Sequence, residues 1–376
     1  MRTLVSVLLL AVCALPLSAC AQDATVRVGG VEFVRQSVTV GAGQKEATAA
    51  DVDRDGRPEW LLAGNDSLTV LRGGEDGTVI VQGRVPAGSS PTGPDAADLD
   101  GDGHLDVAIA NHNTPYVTLL RGDGGGGFRP FPDSPLTVDV DPHPHAVRAA
   151  DLDADGHADL VIDHRGAEGL LILRGTGDGT FESSGTVVPV GGDPYRGMAV
   201  GDLNGDSALD LVTPNPDGVG VLIGDNPGEL AFTRDALATQ AGPFAVALAD
   251  VNADGALDVI AALDEGASHV QVFLGDGQGA FREAAESPFD LAPGGKQIAT
   301  GDVNGDGAAD AVIVGWNASE VLILLGGAPS IRAVRLPDAE NSWGPAVADL
   351  NGDGADDLLI PDAASDQAIL YMSRRE

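Results

Sequence analysis

The amino-acid sequence predicts an all-β protein, a seven-bladed β-propeller built from four-stranded blades. Three observations predict this fold. An acidic loop recurs seven times, at intervals of 47 to 53 residues, and such a period suits one propeller blade. Apolar runs of strand length flank every loop, while glycines and prolines interrupt the chain too often for long helices. Finally, one repeat is divided between the two ends of the chain, as closure of a ring requires.

Each predicted blade reads as four strands in a fixed order. A short Ala/Val run such as 245–249 precedes the acidic loop, and apolar runs such as 105–110 and 116–120 follow it. A Gly-rich turn then leads into a last, less regular strand. The chain ends with 367–371, which matches a third strand, and 31–40 supplies the missing fourth. We therefore expect a single seven-bladed propeller over residues 31–376, closed by its first strand.

The amino-terminal residues predict export and lipidation. A basic start and an apolar run too short to span a bilayer end in Leu17-Ser18-Ala19-Cys20. This sequence resembles the bacterial lipobox, in which the cysteine is acylated; an ordinary secretory signal with a chance cysteine is the alternative. We expect residues 1–19 to be a lipoprotein signal peptide, Cys20 to be lipidated and 20–30 to form a tether. Because Ala21 follows where inner-membrane retention would call for Asp, the resemblance implies an outer-membrane lipoprotein of the cell envelope, facing the periplasm or the cell surface.

The charge of the chain excludes nucleic acid as a partner. There are 57 Asp and Glu residues against 21 Lys and Arg, a formal net charge of −36. Nucleic-acid binding requires a basic face that displaces counterions from phosphates. Apart from Cys20, the one cysteine is Cys13, which lies within the predicted signal peptide. The mature chain therefore has no disulfide, and its stability must come from packing and from bound ions.

The seven acidic loops predict calcium sites. Each matches Asp-x-[Asp/Asn]-x-Asp-[Gly/Ser]-x-x-[Asp/Glu]. Calcium prefers six to eight oxygen ligands, which side chains at positions 1, 3, 5 and 9 and the carbonyl at position 7 would supply. The predicted ligands, with the position 7 residue acting through its carbonyl, are Asp51, Asp53, Asp55, Arg57 and Glu59 in loop 1; Asp98, Asp100, Asp102, His104 and Asp106 in loop 2; Asp151, Asp153, Asp155, His157 and Asp159 in loop 3; Asp202, Asn204, Asp206, Ala208 and Asp210 in loop 4; Asp250, Asn252, Asp254, Ala256 and Asp258 in loop 5; Asp302, Asn304, Asp306, Ala308 and Asp310 in loop 6; and Asp349, Asn351, Asp353, Ala355 and Asp357 in loop 7.

The loops differ in two respects. Position 3 is Asp in loops 1 to 3 and Asn in loops 4 to 7, which leaves the later loops one charge weaker. Loop 4 also has Ser207 at position 6, where the others have Gly, so we expect it to be the weakest site. Acidic surface turns without metal are the alternative. EF-hands are a poor match, because β-type runs flank the loops instead of helices.

These loops, with Gly-rich turns that end in Phe128, Phe181, Phe232 and Phe281, resemble the FG-GAP/VCBS-type repeat family, the propeller class of integrin α-subunit heads. The resemblance covers nearly all of residues 31–373. It implies a seven-bladed propeller in which up to seven calcium ions join the first and second strands of each blade. It further implies that the ions lie on the face opposite the ligand-binding surface.

A second set of residues predicts a ligand rim at the channel mouth. The residues six positions before each loop are Lys45, Thr92, His145, Arg196, Phe244, Lys296 and Trp343. Cationic and aromatic side chains are scarce in this chain, so their concentration here favours a funnel for an anionic or carbohydrate ligand. The alternative is that these side chains merely fill and solvate the entrance.

No catalytic motif stands out in the sequence, which has no nucleophile elbow, no His-Glu-x-x-His and no phosphate-binding Gly-Lys-Ser loop. We therefore expect a calcium-binding, membrane-anchored envelope module that binds or scaffolds a protein or glycan partner without catalysis. One alternative is a lectin or a carbohydrate-active enzyme that uses the channel mouth. Another is a subunit of an envelope protein assembly.

Overall fold

The computed structural model describes residues 25–140, 144–194, 197–226, 228–263, 269–291, 295–315, 318, 320–337 and 341–375. In this part of the chain nearly all regular structure is β, and one 3₁₀ turn, Arg165–Ala167, joins two strands. None of the helical structure described there is long and apolar enough to cross a membrane. The predicted signal peptide, Cys20 and the predicted rim residue Arg196 lie outside the described residues.

The described strands form seven antiparallel sheets, one for each predicted blade. The first two strands in the chain belong to the last blade and are β1 (Thr25–Val28) and β2 (Val31–Thr39). Blades 1 to 3 contain β3 (Gln44–Ala50), β4 (Glu59–Gly64), β5 (Ser67–Gly73) and β6 (Val79–Pro86); β7 (Pro91–Ala97), β8 (Asp106–Asn111), β9 (Tyr116–Gly122), β10 (Phe128–Pro130) and β11 (Leu136–Thr137); and β12 (Val147–Ala150), β13 (Asp159–His164), β14 (Gly169–Leu173) and β15 (Thr186–Pro189).

Blades 4 to 7 continue the pattern. They contain β16 (Ala199–Gly201), β17 (Asp210–Asn215), β18 (Gly218–Gly224) and β19 (Phe232–Ala238); β20 (Pro243–Ala249), β21 (Asp258–Leu263), β22 (His269–Gly275), β23 (Phe281–Glu283) and β24 (Phe289–Asp290); β25 (Gly295–Gly301), β26 (Asp310–Gly315), β27 (Glu320–Leu325) and β28 (Arg332–Pro337); and β29 (Ala346–Ala348), β30 (Asp357–Pro361) and β31 (Gln367–Arg374). The fourth strand of blades 2 and 5 is divided into two short pieces, each paired with the third strand.

The two ends of the chain meet in blade 7. β2 pairs antiparallel with β31 from Glu32, opposite Arg374, to Thr39, opposite Gln367. The first strands of the blades contact one another in cyclic order, from β3 through β7, β12, β16, β20, β25 and β29 back to β3. The predicted all-β, seven-bladed propeller with four-stranded blades is thus confirmed.

Blade 7 has one strand more than expected. The tether predicted over residues 20–30 is wrong for Thr25–Val28, which forms β1 on the outer edge of β2. The physical reason is alternation: Thr25 and Arg27 are exposed, whereas Val28 is buried and Val26 packs on the apolar cluster between blades 6 and 7. A strand whose alternate side chains reach a core gains more than a solvated tether does.

The apolar core consists of seven clusters, each between two neighbouring blades. Successive side chains of a strand point to opposite faces of a sheet, so one strand serves two clusters. In β4, Trp60 and Leu62 pack against blade 7, while Leu61 packs against blade 2. Because both faces of each blade are covered, the inner strands are nearly continuous apolar runs. This packing fixes the loops between first and second strands on one face of the ring.

Candidate metal loops and channel mouth

A single hydrogen-bond framework recurs in all seven acidic loops. The position 1 carboxylate accepts a bond from the backbone N–H of position 6 at 2.8–3.0 Å. The position 5 carboxylate accepts one from the N–H of position 7 at 2.8–3.1 Å. These local bonds hold both carboxylates toward the inside of the turn, because Asp side chains readily bond the backbone a few residues on.

The position 9 carboxylate anchors each loop to its blade. It begins the second strand and is buried, from 0% exposed at Asp106 to 1% at Glu59. In loop 2, Asp106 accepts hydrogen bonds from Leu99 N and from Gly122 N in β9, each at 2.9 Å. The same pair of backbone donors, one from position 2 and one from the third strand, serves Asp159, Asp210, Asp258 and Asp357. In these loops position 9 therefore joins the loop to the second and third strands at once, whereas Glu59 of loop 1 accepts its backbone bond from Val52 N.

Burial raises the pKa of these position 9 carboxyls, since it disfavours the charged form. The pKa of Glu59 rises to about 7, as do those of Asp310 and Asp357. The pKa of Asp106 rises to about 6, and so does that of Asp258. In each case the backbone N–H bonds oppose this increase, and the other carboxylates of the same loop add to it. A bound cation would remove the cost of charging these groups.

The pH dependence of the metal-free protein follows from these pKa values. Between about pH 4 and pH 7 the folded protein holds protons on Glu59, Asp310 and Asp357 that the unfolded chain has released. The free energy of unfolding in EDTA is therefore expected to fall as the pH rises from about 5 to 7, by about 2 kcal/mol for the Glu59 carboxyl alone, and to level off above about pH 8. Denaturant titrations at a series of pH values measure this slope.

Excess calcium is the control for that titration. Because the cation competes with protons for the same carboxylates, its presence should flatten or reverse the slope. A metal-free protein that becomes more stable as the pH rises from 5 to 7 would contradict the assignment of these carboxyls.

Backbone conformation explains the glycine at position 6. Position 4 has φ between 55° and 78° in the seven loops, and position 6 has φ between 71° and 91°. Both values lie in the left-handed region, where a side chain costs about 1–2 kcal/mol. Ser207 occupies position 6 of loop 4 with φ of 71°. The other six loops have glycine at this position.

Replacing Ser207 with Gly is expected to stabilise the protein by up to about 1 kcal/mol. The substitution relieves the positive φ, while the flexibility of glycine in the unfolded chain offsets part of the gain. Urea denaturation measures the difference. The matched control is Gly255→Ser, at the same position of loop 5 with φ of 90°, which should destabilise the protein. A Ser207→Gly variant less stable than the wild type would show that the serine hydroxyl has a role of its own.

The residues present fit a hard divalent cation. In each of loops 1 to 3, positions 1, 3 and 9 offer carboxylate oxygens that lie within 4.8 Å of one another. Within the described part of the chain, the buried Oδ1 atoms of Asp51, Asp98 and Asp153 have no hydrogen-bond partner. An unpaired buried carboxylate oxygen is costly, so each of these atoms points to a missing positive partner. The acidic clusters can therefore hold metal ions.

The structure also places three arginines at these clusters that the sequence analysis missed. They are Arg72, Arg121 and Arg174, each contributed by or just after the third strand and ion-paired with position 3 of its loop. Among described residues, none of loops 4 to 6 has such an arginine in this place, where the chain has Ile223, Leu274 and Leu325. The sequence does contain a signal for these arginines. The three arginines and their three aliphatic counterparts all directly precede the glycine that begins the Gly-rich turn.

The predicted rim residues that the structure describes lie at the opposite ends of the inner strands, and neighbouring blades bring several of them into contact. Lys45 Nζ donates to Ser90 Oγ at 2.8 Å and lies 5.3 Å from the ring centroid of Trp343. Lys296 Nζ lies 3.6 Å above the ring of Phe244. The cationic and aromatic side chains thus form pairs between blades, an arrangement that stabilises the mouth as well as offering surface to a ligand.

His145 is less accessible than a rim ligand should be. Its side chain is 5% exposed, its Nδ1 lies 3.4 Å from Asp163 Oδ2, and its ring packs edge-on against His112 at 4.7 Å. Its backbone N–H also donates to Asp163 at 2.8 Å. The sequence position of His145 predicts a side chain at the mouth. Its contact with the buried Asp163 of β13 holds the side chain inside the blade instead.

Below the mouth the inner strands enclose a channel with a cavity volume of about 300 Å³. Its lining includes Glu46, Asp95 and Arg148 from blades 1 to 3. Burial raises the pKa of Asp95, which accepts a hydrogen bond from Ala149 N at 2.8 Å. Glu46 accepts a bond from Gly93 N at 2.6 Å. The polar channel wall is therefore tied into the ring by bonds between neighbouring blades.

Acidic loops that recur on a closed ring of four-stranded blades define a class of repeat-built β-propellers. Comparison with known proteins identifies the same class. Five segments match the model of the FG-GAP-like repeat, at residues 51–109, 98–162, 165–213, 203–261 and 250–313. These segments cover more than half of the chain. The protein therefore belongs to the FG-GAP-like repeat family.

Solved structures share the fold at low sequence identity. BBS1N, crystallised in complex with ARL6DN and soaked with mercury, has a TM-score of 0.60 at 15% identity, over 93% of this chain and 98% of its own. The β-propeller domain of Myceliophteria thermophila Cps50 (Swd1) has a TM-score of 0.58 at 10% identity, over 90% and 99%. An Agrocybe aegerita lectin that recognises non-reducing terminal N-acetylglucosamine has a TM-score of 0.55 at 20% identity, over 86% and 87%. At these identities the likeness concerns the fold alone.

Proposed function

We propose that this protein is a calcium-binding module of the cell envelope, anchored by a lipid, that binds or scaffolds a partner and has no catalytic activity of its own. The observation that carries the calcium assignment is the repeated loop framework together with the unpartnered buried oxygens of Asp51, Asp98 and Asp153. Calcium would supply the double positive charge that offsets the clustered carboxylates. Magnesium fits less well, because it demands a smaller octahedral site and gives up its water reluctantly.

The chain's own residues divide the work in each loop. Positions 1 and 5 are held in place by backbone N–H groups and present oxygens to the ion. Position 3 adds a carboxylate or an amide oxygen, and the carbonyl of position 7 completes the turn. Position 9, fixed by two further N–H groups in loops 2 to 7 and by Val52 N in loop 1, would tie the ion to its blade. The ions would thereby stiffen the face of the ring opposite the channel mouth.

Membrane anchoring is proposed from the lipobox resemblance at Cys20. We expect the wild-type protein to remain with the outer-membrane fraction and to carry a mass increase of a lipid at its amino terminus. A Cys20→Ala variant should lose both while keeping the same thermal melt, because the described fold starts at Thr25. Equal partition of the two variants into the soluble fraction would refute the anchor.

The binding role is supported by the propeller fold and by the cationic and aromatic side chains of the rim. One structural neighbour is a propeller domain in complex with a protein partner, which is consistent with a protein partner here. The experiment is affinity capture from native envelopes in calcium and in EDTA. Specific envelope proteins recovered in calcium would support the scaffold, and recovery of nothing under either condition would count against it.

Glycan binding is the second candidate, favoured by the cation–aromatic pairs at the mouth, Lys45 with Trp343 and Lys296 with Phe244. Aromatic faces and cations suit sugars and their acidic substituents. A glycan array with the wild type and with a Lys45→Ala, Lys296→Ala double variant tests this role. Loss of a glycan signal in the double variant would favour the lectin, and degradation of a polysaccharide by the pure protein would indicate an enzyme instead.

A further inference from the structure

Two positions change together in every blade of this chain. Where position 3 of the loop is Asp, in blades 1 to 3, the residue before the third-strand glycine is Arg. Where position 3 is Asn, in blades 4 to 7, the residue at that place is aliphatic or Met; a glycine follows it in blades 4 to 6, and Ser373 follows it in blade 7. The pairs are Asp53 with Arg72, Asp100 with Arg121, Asp153 with Arg174, Asn204 with Ile223, Asn252 with Leu274, Asn304 with Leu325, and Asn351 with Met372.

The arginines contact the loop carboxylates directly. Arg72 Nη1 lies 2.6 Å from Asp53 Oδ2, and its Nη2 donates to Asp55 Oδ2. In blade 2, Arg121 Nε lies 2.6 Å from Asp100 Oδ2 and its Nη2 donates to Asp102 Oδ2 at 2.9 Å. The guanidinium thus links positions 3 and 5 of the loop in the same way in two blades.

In loops 4 and 5 the asparagine amide takes over one of these contacts. In loop 7 the amide of Asn351 donates instead to Asp357 Oδ1 and Ser373 O, and in loop 6 the buried amide of Asn304 has no hydrogen-bond partner within the described residues. Asn204 Nδ2 donates to Asp206 Oδ2 at 3.0 Å, and Asn252 Nδ2 donates to Asp254 Oδ2 at 2.9 Å. This is the same position 5 oxygen that the arginines of blades 1 and 2 contact. An Asp with an Arg, and an Asn with an aliphatic residue, are therefore two solutions to one structural requirement.

The two solutions also carry the same charge. Four carboxylates and one guanidinium leave three negative charges, which is the charge of three carboxylates and an asparagine. The arginine also leaves part of the position 3 carboxylate available to an ion. Arg174 Nη1 lies 3.1 Å from Asp153 Oδ2, while the buried Oδ1 of the same carboxylate has no hydrogen-bond partner within the described residues. One oxygen of the carboxylate thus remains for an ion.

We propose that Arg72, Arg121 and Arg174 are outer-sphere positioning residues of the cation sites in blades 1 to 3, and that each acts with its Asp as a unit equivalent to Asn with an aliphatic residue. This inference rests on the proposed calcium binding. The guanidinium orients the position 3 carboxylate and offsets the extra negative charge that Asp carries there relative to Asn. Outer-sphere partners of this kind tune the affinity of the ligands that they hold.

Blade 1 permits a test of one loop among seven. The chain has three tryptophans, and Trp60 directly follows the loop 1 ligand Glu59, whereas Trp343 lies at the channel mouth. Terbium, a luminescent substitute for calcium, is excited through a nearby tryptophan. Its luminescence therefore reports loop 1 and the adjacent loop 7, whose Leu350 shares an apolar cluster with Trp60. Trp60→Phe is the control for the tryptophan, and a background with Asp349→Asn and Asp353→Asn removes the contribution of loop 7. Competition with calcium then gives the calcium affinity of this loop.

The expected results form a double-mutant cycle. Arg72→Leu removes a positive charge beside the ion and should tighten calcium binding at loop 1 by at least about tenfold. Asp53→Asn alone should weaken it by about tenfold or more, because the loop keeps the arginine and loses a ligand charge. The double variant, which reproduces the arrangement of blade 5, should return to within about threefold of the wild type. Arg282→Leu, at an exposed site in β23, changes the net charge equally and should leave loop 1 unaffected.

Two results would overturn the proposal. One is an Arg72→Leu variant with the calcium affinity of the wild type. The other is a double variant that binds no better than Asp53→Asn. A wild type without calcium-sensitive terbium luminescence would instead contradict the proposed calcium binding itself. In that case the same cycle of melting temperatures in EDTA still measures the Arg72–Asp53 unit, and additive effects of the two substitutions there would refute it independently.

Discussion

Removal of calcium by EDTA is expected to lower the melting temperature by roughly 10–20 °C. Seven sites, each at about ten times its dissociation constant, would contribute about 1.4 kcal/mol apiece and about 10 kcal/mol together. Without an ion, the carboxylates of each loop repel one another, and buried oxygens such as Asp51 Oδ1 have no partner among the described residues. The resulting loss is comparable to the whole stability of an ordinary domain. Differential scanning calorimetry measures it directly.

The controls are readdition of calcium and substitution of magnesium. Calcium should restore the melting temperature fully, and magnesium at the same concentration should restore it only in part. A melting temperature that EDTA does not change, with no calcium in elemental analysis, would refute calcium stabilisation while leaving the propeller fold intact.

Replacing Asp106 with Ala is expected to cost about 3–5 kcal/mol of unfolding free energy, even in EDTA. The carboxylate accepts bonds from Leu99 N and Gly122 N, and its removal leaves both donors buried and unpaired. Each unpaired buried donor costs about 1–3 kcal/mol. This cost is separate from metal binding, so it is measured by urea denaturation in the presence of chelator.

Two variants separate the sources of that loss. Asp106→Asn keeps one acceptor oxygen for one of the two backbone donors and turns its NH2 group toward the other, so in EDTA it should cost less than alanine, about 1–3 kcal/mol for the one donor left unpaired. Asp133→Ala removes an exposed carboxylate from the same blade and should change the stability by less than about 0.5 kcal/mol. If Asp106→Ala were as stable as Asp133→Ala, position 9 would not be the anchor of the loop.

The fold was predictable because the determinants of each loop are local and repeated. A turn that places carboxylates at alternate positions and a glycine at positive φ needs only nine consecutive residues, and seven copies at one period leave few architectures open. The division of blade 7 between Val31–Thr39 and Gln367–Arg374 was equally visible, since each end supplied what the other lacked.

The remaining features depend on contacts across the sheet, which spacing within a loop does not encode. Arg72 reaches Asp53 from the third strand, and Gly122 reaches Asp106 in the same way. The pairing of Lys296 with Phe244 joins two blades. At Thr25–Val28 the alternation was too short to distinguish a strand from a tether, and only the apolar surface of blade 6 decides between them.

The pairing of β2 with β31 has a consequence for how the protein is made. Gln367 Nε2 donates to Thr39 Oγ1 at 2.9 Å, a contact between residues 328 positions apart. β2 must therefore wait until β31 has been synthesised, and Phe33 and Val34, both buried in the finished ring, stay uncovered in the meantime. Such a long wait favours slow completion and aggregation of nascent chains, so we expect a need for a chaperone that shields this segment during biogenesis.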